Sequence, residues 1–416
     1  MAAIRKERAA PTIDVNQARE VQTLKAEVAT LKQERAVQIE DVNQVNQTLD
    51  ELNAQVAAVK KEADRNRIGD TKFLLTGYGF ASYTDRQTEN STFSAGFNPI
   101  FLWEISDRLL FEAEVEYELT TPRNTEDESG TSETETSLEY ANMTYIINDY
   151  MTVGAGKFLL PLGIFNQWLH PAWINKLPDR PLPYDDEVGI VPEAGIGAFI
   201  RGAVPYGSTK WNYALYIDNG PALITDDADE VGMMDFDNFD DNNHNKAVGG
   251  RVGFLPIPEL EVGYSIQAAK VNPEDFQKVD ALFQVVDFSY MKQIEWLRGT
   301  VDVRSEWAWS DVDDATYDTP DGPLRFDNDR SAYYVQAAYR PTMVADKVLK
   351  NLEFVLRYDK LDVPDDAPGS SDEFRWTPGI DYWITPSAVV KVAYQFDETS
   401  GSEDRNAFLL QTAIGF

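Results

Sequence analysis

The sequence contains no cysteine in 416 residues, so neither a disulfide framework nor a thiolate metal site is available. Histidine is nearly as scarce. With only His170 and His244, a histidine-rich metal centre is out of reach, and a Ser-His-acid triad would have to use a residue in a predicted loop. The chain is therefore not expected to be an enzyme or to hold a cofactor or metal. No apolar run reaches the roughly eighteen residues that a transmembrane helix needs. Strands escape that test, because polar residues facing a lumen dilute the hydropathy of every segment of a barrel. Basic residues are also few: 37 against 70 acids leave a net charge of −33, which disfavours nucleic acid as a partner. No secretory leader is recognisable after Met1, so an exported protein would be represented here in its mature form or as a recombinant product.

What is present is apolar and aromatic: 43% hydrophobic and 12% aromatic residues, too many for an acidic disordered chain. Two regions differ in period. Between 21 and 59 the apolar residues recur in steps of three and four: Val21, Leu24, Val28 and Leu31, then a polar layer of Arg35 and Gln38, then Val42, Val45, Leu49, Leu52, Val56 and Val59. This 3.5-residue period predicts a left-handed coiled coil, about 60 Å long at ~1.5 Å per residue. The mixture of Val and Leu leans towards three strands, so residues 1–66 are read as a trimerisation stalk. A helical-hairpin partner or an artefactual tag is the alternative.

From residue 67 onward the period is two. In the clearest strand, Leu109, Phe111, Ala113, Val115, Tyr117 and Leu119 alternate with Glu112, Glu114, Glu116 and Glu118. The chain ends likewise, with Phe408, Leu410, Thr412, Ile414 and Phe416 on one face. Sixteen such segments can be placed, an even number. Their connections alternate between short turns, such as 106–107, 148–149, 205–207 and 385–387, and long, mostly acidic loops at 120–134, 159–194, 219–245, 310–330 and 363–372. The long turn 341–350 is an exception. Aromatics recur near strand ends: Phe101, Trp103, Tyr145, Trp211, Tyr213, Trp307, Trp309, Tyr333, Tyr382 and Tyr394. The expected fold is all-β, a 16-stranded antiparallel transmembrane β-barrel over 67–416 with an N-terminal α-helical coiled coil. Sixteen strands enclose an aqueous channel, and closure removes exposed edges.

The stretches 156–163 (GKFLLPLG), 211–220 (WNYALYIDNG) and 356–362 (LRYDKLD) resemble the phosphate-selective porin O/P family, and a coiled coil ahead of such a barrel resembles its DcaP-like, dicarboxylate-associated branch. That resemblance covers roughly 70–416 for the barrel and 20–60 for the rod. It implies a trimeric porin whose third outer loop folds into the pore. Here that loop is 159–194, too long for a simple connection, and it carries Trp168, His170, Trp173, Lys176, Asp179, Arg180, Asp185, Asp186, Glu187 and Glu193. The aromatics are expected to seat it and the charges to face the constriction. Unlike the phosphate-selective pattern, this loop is net acidic.

With apolar residues facing lipid, the other parity lines the pore. The expected lining is Arg251, Arg298, Arg304, Arg340, Arg357, Lys157, Lys210 and Lys391 with the Glu112, Glu114, Glu116 and Glu118 row, either as a transverse field that selects ions or as wall-to-wall salt bridges. The acidic tract at 226–241 lacks EF-hand spacing and reads as a solvated loop or as a divalent bridge to lipopolysaccharide. The expected function is passive diffusion of small hydrophilic solutes across the bacterial outer membrane, favouring small anions, with the stalk in the periplasm. Two alternatives remain: a tether whose stalk binds peptidoglycan or another periplasmic partner, and a barrel sheath around an electron-transfer partner.

Overall fold

The structure, a computed structural model, describes residues 67–68, 71–87, 90–120, 133–236, 244–369, 371–400 and 405–416. The heptad residues Val21 to Val59 lie outside the described residues. Sixteen long strands form one sheet: β1 Thr71–Arg86, β2 Thr92–Ser106, β3 Leu109–Thr120, β4 Glu133–Asn148, β5 Met151–Leu159, β6 Ala194–Tyr206, β7 Thr209–Asp218, β8 Ala247–Ile257, β9 Leu260–Lys270, β10 Asp280–Ile294, β11 Gly299–Val312, β12 Arg330–Arg340, β13 Leu352–Asp362, β14 Glu373–Thr385, β15 Ala388–Thr399 and β16 Ala407–Gly415. Each pairs antiparallel with its sequence neighbours, and β1 pairs with β16 from Tyr78 opposite Gly415 to Arg86 opposite Ala407. The ring is closed. Closure leaves no wall strand with an unpaired edge, which a sheet of this width could not otherwise avoid.

The two-residue period decides which side chains face out. On β16, Phe408, Leu410, Ile414 and Phe416 are exposed on the outer face, while Leu409, Gln411 and Ala413 are buried inside. Leu215, Val248, Phe354, Leu356, Ile380 and Val392 continue the exposed apolar belt on other strands. Aromatic rings join across it. Trp307, Tyr333, Tyr358 and Trp376 form a chain over β11 to β14, with centroid separations of 6.4, 5.9 and 4.6 Å, and Trp211 meets Phe254 at 4.4 Å. An apolar outer band flanked by such rings is the surface a lipid bilayer requires.

Both chain ends of the barrel lie at the mouth with the short turns. The long turn after β12 also belongs there, and it packs on its neighbour: the Met343 N–H donates to the Arg298 carbonyl at 3.0 Å. At the opposite mouth the loops carry structure of their own. The loop predicted at 310–330 contains a hairpin, Ala315–Thr319 with Gly322–Phe326, and the 219–245 loop contains a two-residue ladder, Ala222–Leu223 with Met234–Asp235. Leu223, Val231, Phe276, Phe283, Tyr317 and Phe326 pack these loops into one apolar cluster.

Candidate functional site

The segment between β5 and β6 turns into the lumen and does not arch outward. Its first residues, Leu160, Leu162 and Phe165, bury with Leu182, Tyr184, Ile190 and Val191 against Phe158, Phe199, Val285, Tyr334 and Leu361 of the inner wall. Gly163 sits at φ 73°, and a Cβ there would collide with the Glu306 carboxylate and the Tyr184 hydroxyl, so only glycine fits. Trp173 packs where Gly415 leaves room, as expected for a seating aromatic. Trp168 does not seat the segment; it is 63% exposed.

Polar contacts pin the segment along its length. Glu306 of β11 accepts from the Ile164 N–H at 2.8 Å, the Tyr184 hydroxyl at 2.7 Å and the Tyr334 hydroxyl at 2.7 Å. Lys176 bonds Glu353 at 2.6 Å and lies 3.4 Å from Asp302. Arg357, wholly buried, binds Asp359 at 2.7 Å, the Asp179 carboxylate, and the carbonyls of Asp179 and Arg180, each at 3.1 Å. Lys391 donates to the carbonyls of Ala172 at 2.5 Å and Asn175 at 2.6 Å. Arg375 reaches Asp185 at 2.9 Å and Asp397 at 3.1 Å.

Electrostatics inside the segment follow from these partners. Burial would raise the Asp185 carboxyl, but the Arg375 ion pair and the N–H groups of Glu187 and Val188 hold it below the usual carboxylate range. Burial, then the Arg180 charge, pushes the His170 imidazole down to about 3. His170 also contacts Asn166 O through Nδ1 and sets its ring edge-on to Tyr78 at 6.4 Å.

The predicted basic lining divides accordingly. Arg357 and Lys391 face inward but lie under the segment and hold it, so they do not line open water. Arg251 faces inward on β8 and is consumed by Asp287 at 2.6 Å and Glu261 at 2.9 Å, and Arg304 is held by Asp302 at 2.9 Å. Arg340 and Lys210 face inward near the short-turn mouth, with Arg340 over the Trp383 ring at 5.3 Å. Arg298 is not on the wall at all. It occupies a left-handed turn position, φ 54°, beyond the end of β10. Lys157 faces outward: its register partners Ala141 and Ile196 belong to the outer face, and it is Phe158 that points inward.

The wall across from the segment has a different character. Glu112, Glu114, Glu116 and Glu118 share the inner face of β3 as predicted, and Glu135 on β4 stands directly opposite Glu118. A bulge between Glu114 and Val115 adds Glu139 to the group. Like charges directly opposite one another destabilise a sheet, yet basic partners are few. Arg201 lies 3.5 Å from Glu112. Arg180 of the segment bonds Glu193 at 2.5 Å and Asp186 at 3.2 Å, and it interacts electrostatically with Glu118 and Glu139. Glu187 lies at the far end of the segment, 3.9 Å from Arg405. Sequence reasoning did not single out Arg375, Arg201, Glu135 or Glu139. Arg375 sits on the inward parity of β14, a pattern readable from alternation alone, whereas Glu139 depends on a bulge, which is not.

Among the described residues no group of three or more metal-ligating side chains is placed to hold a metal ion. Compared with solved structures, the chain is similar to the outer membrane channel DcaP of Acinetobacter baumannii, at 14% identity and TM-score 0.51, covering 83% of this chain and 97% of that one. It also aligns with an anion-selective porin from Comamonas acidovorans, at 12% identity and TM-score 0.49, over 83% of this chain and 100% of that one. OpdQ of Pseudomonas aeruginosa aligns at 13% identity and TM-score 0.44, over 84% and 99%. No family model and no curated protein matches the sequence. The DcaP likeness is one of fold, a closed antiparallel barrel.

Proposed function

We propose that this protein is an outer-membrane channel through which small hydrophilic solutes diffuse passively, and that its passage favours cations. The reading rests on one observation. On the segment's side of the lumen the basic groups have carboxylate or carbonyl partners, whereas the facing β3–β4 wall presents Glu112, Glu116, Glu118 and Glu135 with few basic partners. The anion preference expected from an arginine row needs guanidinium groups free to meet a solute, and Arg251, Arg304 and Arg357 are engaged. Rows of carboxylates along a pore wall attract cations.

In this reading the barrel is one protomer of a trimer, and the 21–59 heptads supply a periplasmic stalk. Support for trimer and stalk comes from the heptad spacing. The 226–241 acids and the outer belt would meet lipopolysaccharide and lipid.

Reversal potentials of the purified protein in planar bilayers, under a potassium chloride gradient, test the selectivity. Cation preference is expected, and changing Glu116 to Gln should lower the permeability ratio about fivefold, since a unit charge at ~4 Å in water contributes ~1 kcal/mol. Chloride preference in the wild type would sink the proposal.

A further inference from the structure

Across β13, β14 and β15 the inner wall sets three charged side chains in one register row. Glu353 stands opposite Asp381, and Asp381 stands opposite Lys391, whose other neighbour is Gln411 of β16. All four are buried, Asp381 at 0% and Lys391 at 1% exposure. An acid facing a base in this way ordinarily closes as a cross-strand ion pair. Here the lysine turns elsewhere.

An ammonium has three N–H donors, and those of Lys391 go to the Ala172 carbonyl at 2.5 Å, the Asn175 carbonyl at 2.6 Å and Gln411 Oε1 at 2.8 Å. None is left for Asp381. Its charge interacts with that of Lys391, yet both its oxygens are buried with no hydrogen-bond donor among the described residues. Lys176, the other cation nearby, is engaged by Glu353 and Asp302, and Trp383 Nε1 donates to Glu353 at 2.9 Å. A buried carboxylate without donors is costly, and in a folded protein it calls for an explanation. The explanation lies in what Lys391 holds: two backbone carbonyls of the inward segment, in the stretch 171–177, whose Trp173 and Leu177 pack where Gly415 and Gly379 leave room.

We propose that Lys391 is a two-position latch for the 171–177 stretch, and that Asp381 is the position it takes when that stretch lifts from the wall, a reading that rests on the channel function above. In the seated position the ammonium binds two segment carbonyls, and the wall carries a stranded acid. In the lifted position those carbonyls meet lumen water, the ammonium turns across one strand spacing, about 5 Å, and the cross-strand pair with Asp381 closes. Lifting also draws Lys176 from Glu353 and Asp302, which water then reaches. Each position satisfies a group that the other leaves open, so the stretch has two discrete placements and no continuum between them. The passage is narrow with the stretch seated and wider with it lifted. Asp381 therefore sets how often the channel widens.

The lack of cysteine makes a single introduced thiol a clean reporter. Ala393 of β15 is 3% exposed and buried in one cluster with Leu177, so in the full-length protein the thiol of Ala393→Cys is reached from the lumen when the stretch lifts. In planar bilayers a water-soluble methanethiosulfonate should then reduce the current stepwise. Adding Asp381→Asn, the same shape without the charge, removes both the stranded carboxylate and the second position of the latch. Modification should slow about tenfold, a factor within the range that one unsatisfied buried group carries. Asp302→Asn, which takes an acid from the seated Lys176, should not slow it, and heat-modifiable migration confirms that each variant is a folded barrel. No modification of Ala393→Cys, an Asp381→Asn rate equal to or above the parent rate, or equal slowing by both substitutions would overturn the latch. With cation preference intact, any of these leaves the channel reading standing; absence of conductance removes both.

Discussion

The two sides of one lumen solve opposite electrostatic problems. Beneath the inward segment, from β8 to β16, charges are dense and mostly matched, Arg357 with Asp179 and Asp359, Lys176 with Glu353, Arg375 with Asp185 and Asp397, while the buried Asp381 carboxylate has no hydrogen-bond partner among the described residues. On β3 and β4 they are dense and of one sign. Matched charges removed from water hold structure and are silent towards a solute, because each field closes on its partner. Unmatched charges facing water cost stability and project a field. The difference teaches that abundance of a charge type on an inner wall says little about selectivity until its partners are known.

The largest expected effect comes from unmatching the quiet side. Arg357→Ala strands the buried Asp359 carboxylate and takes the cation from the half-buried Asp179, and breaking a buried pair typically costs about 3–5 kcal/mol. The segment should leave the wall, and single-channel records should show a larger, noisier conductance. An unchanged steady level would show that the apolar cluster around Leu162 and Phe165 holds the segment without the ion pairs.

A smaller effect should follow from acid. The seated His170 has its pKa depressed to about 3, against an ordinary value near 6.5. A released His170 therefore binds a proton that the seated one refuses, so the seat is intact above about pH 6.5 and weakens as pH falls towards 3. Asp185 acts in the same direction, but only below the usual carboxylate pKa of about 3.9, because its own value is depressed. Gating noise should rise between about pH 6 and pH 4, and His170→Gln should remove that part of the dependence while leaving the loss below about pH 4. Acid-insensitive noise in the wild type would break this assignment.

The smallest effect is expected at Arg298. Its left-handed backbone suits glycine, and its guanidinium lies outside the wall, 3.4 Å from the Met343 carbonyl. Arg298→Gly should shift stability by no more than about 0.5 kcal/mol and leave the reversal potential unmoved. A lost anion component in that variant would return Arg298 to the pore lining.

Most of the barrel was legible residue by residue. All sixteen strands fall where alternation placed them, and the outer face of β16 carries the residues predicted for it. Lys157 shows where the rule failed. Charged-in and apolar-out holds for a wall facing water, but Phe158, Phe199, Val285 and Leu361 face a lumen filled at that level by the segment's own apolar residues. There the inner wall is a core, and its parity reads in reverse.

Period is a local property: two residues per repeat and the placing of turns are written in adjacent side chains, so strand number, the order of the ring and the two faces followed from sequence. Pairing is not local. Ile164 meets Glu306 across 142 positions and Asp179 meets Arg357 across 178, contacts that exist only once the ring has closed around the returning segment. Closure therefore decided which of the predicted charges are spent on structure.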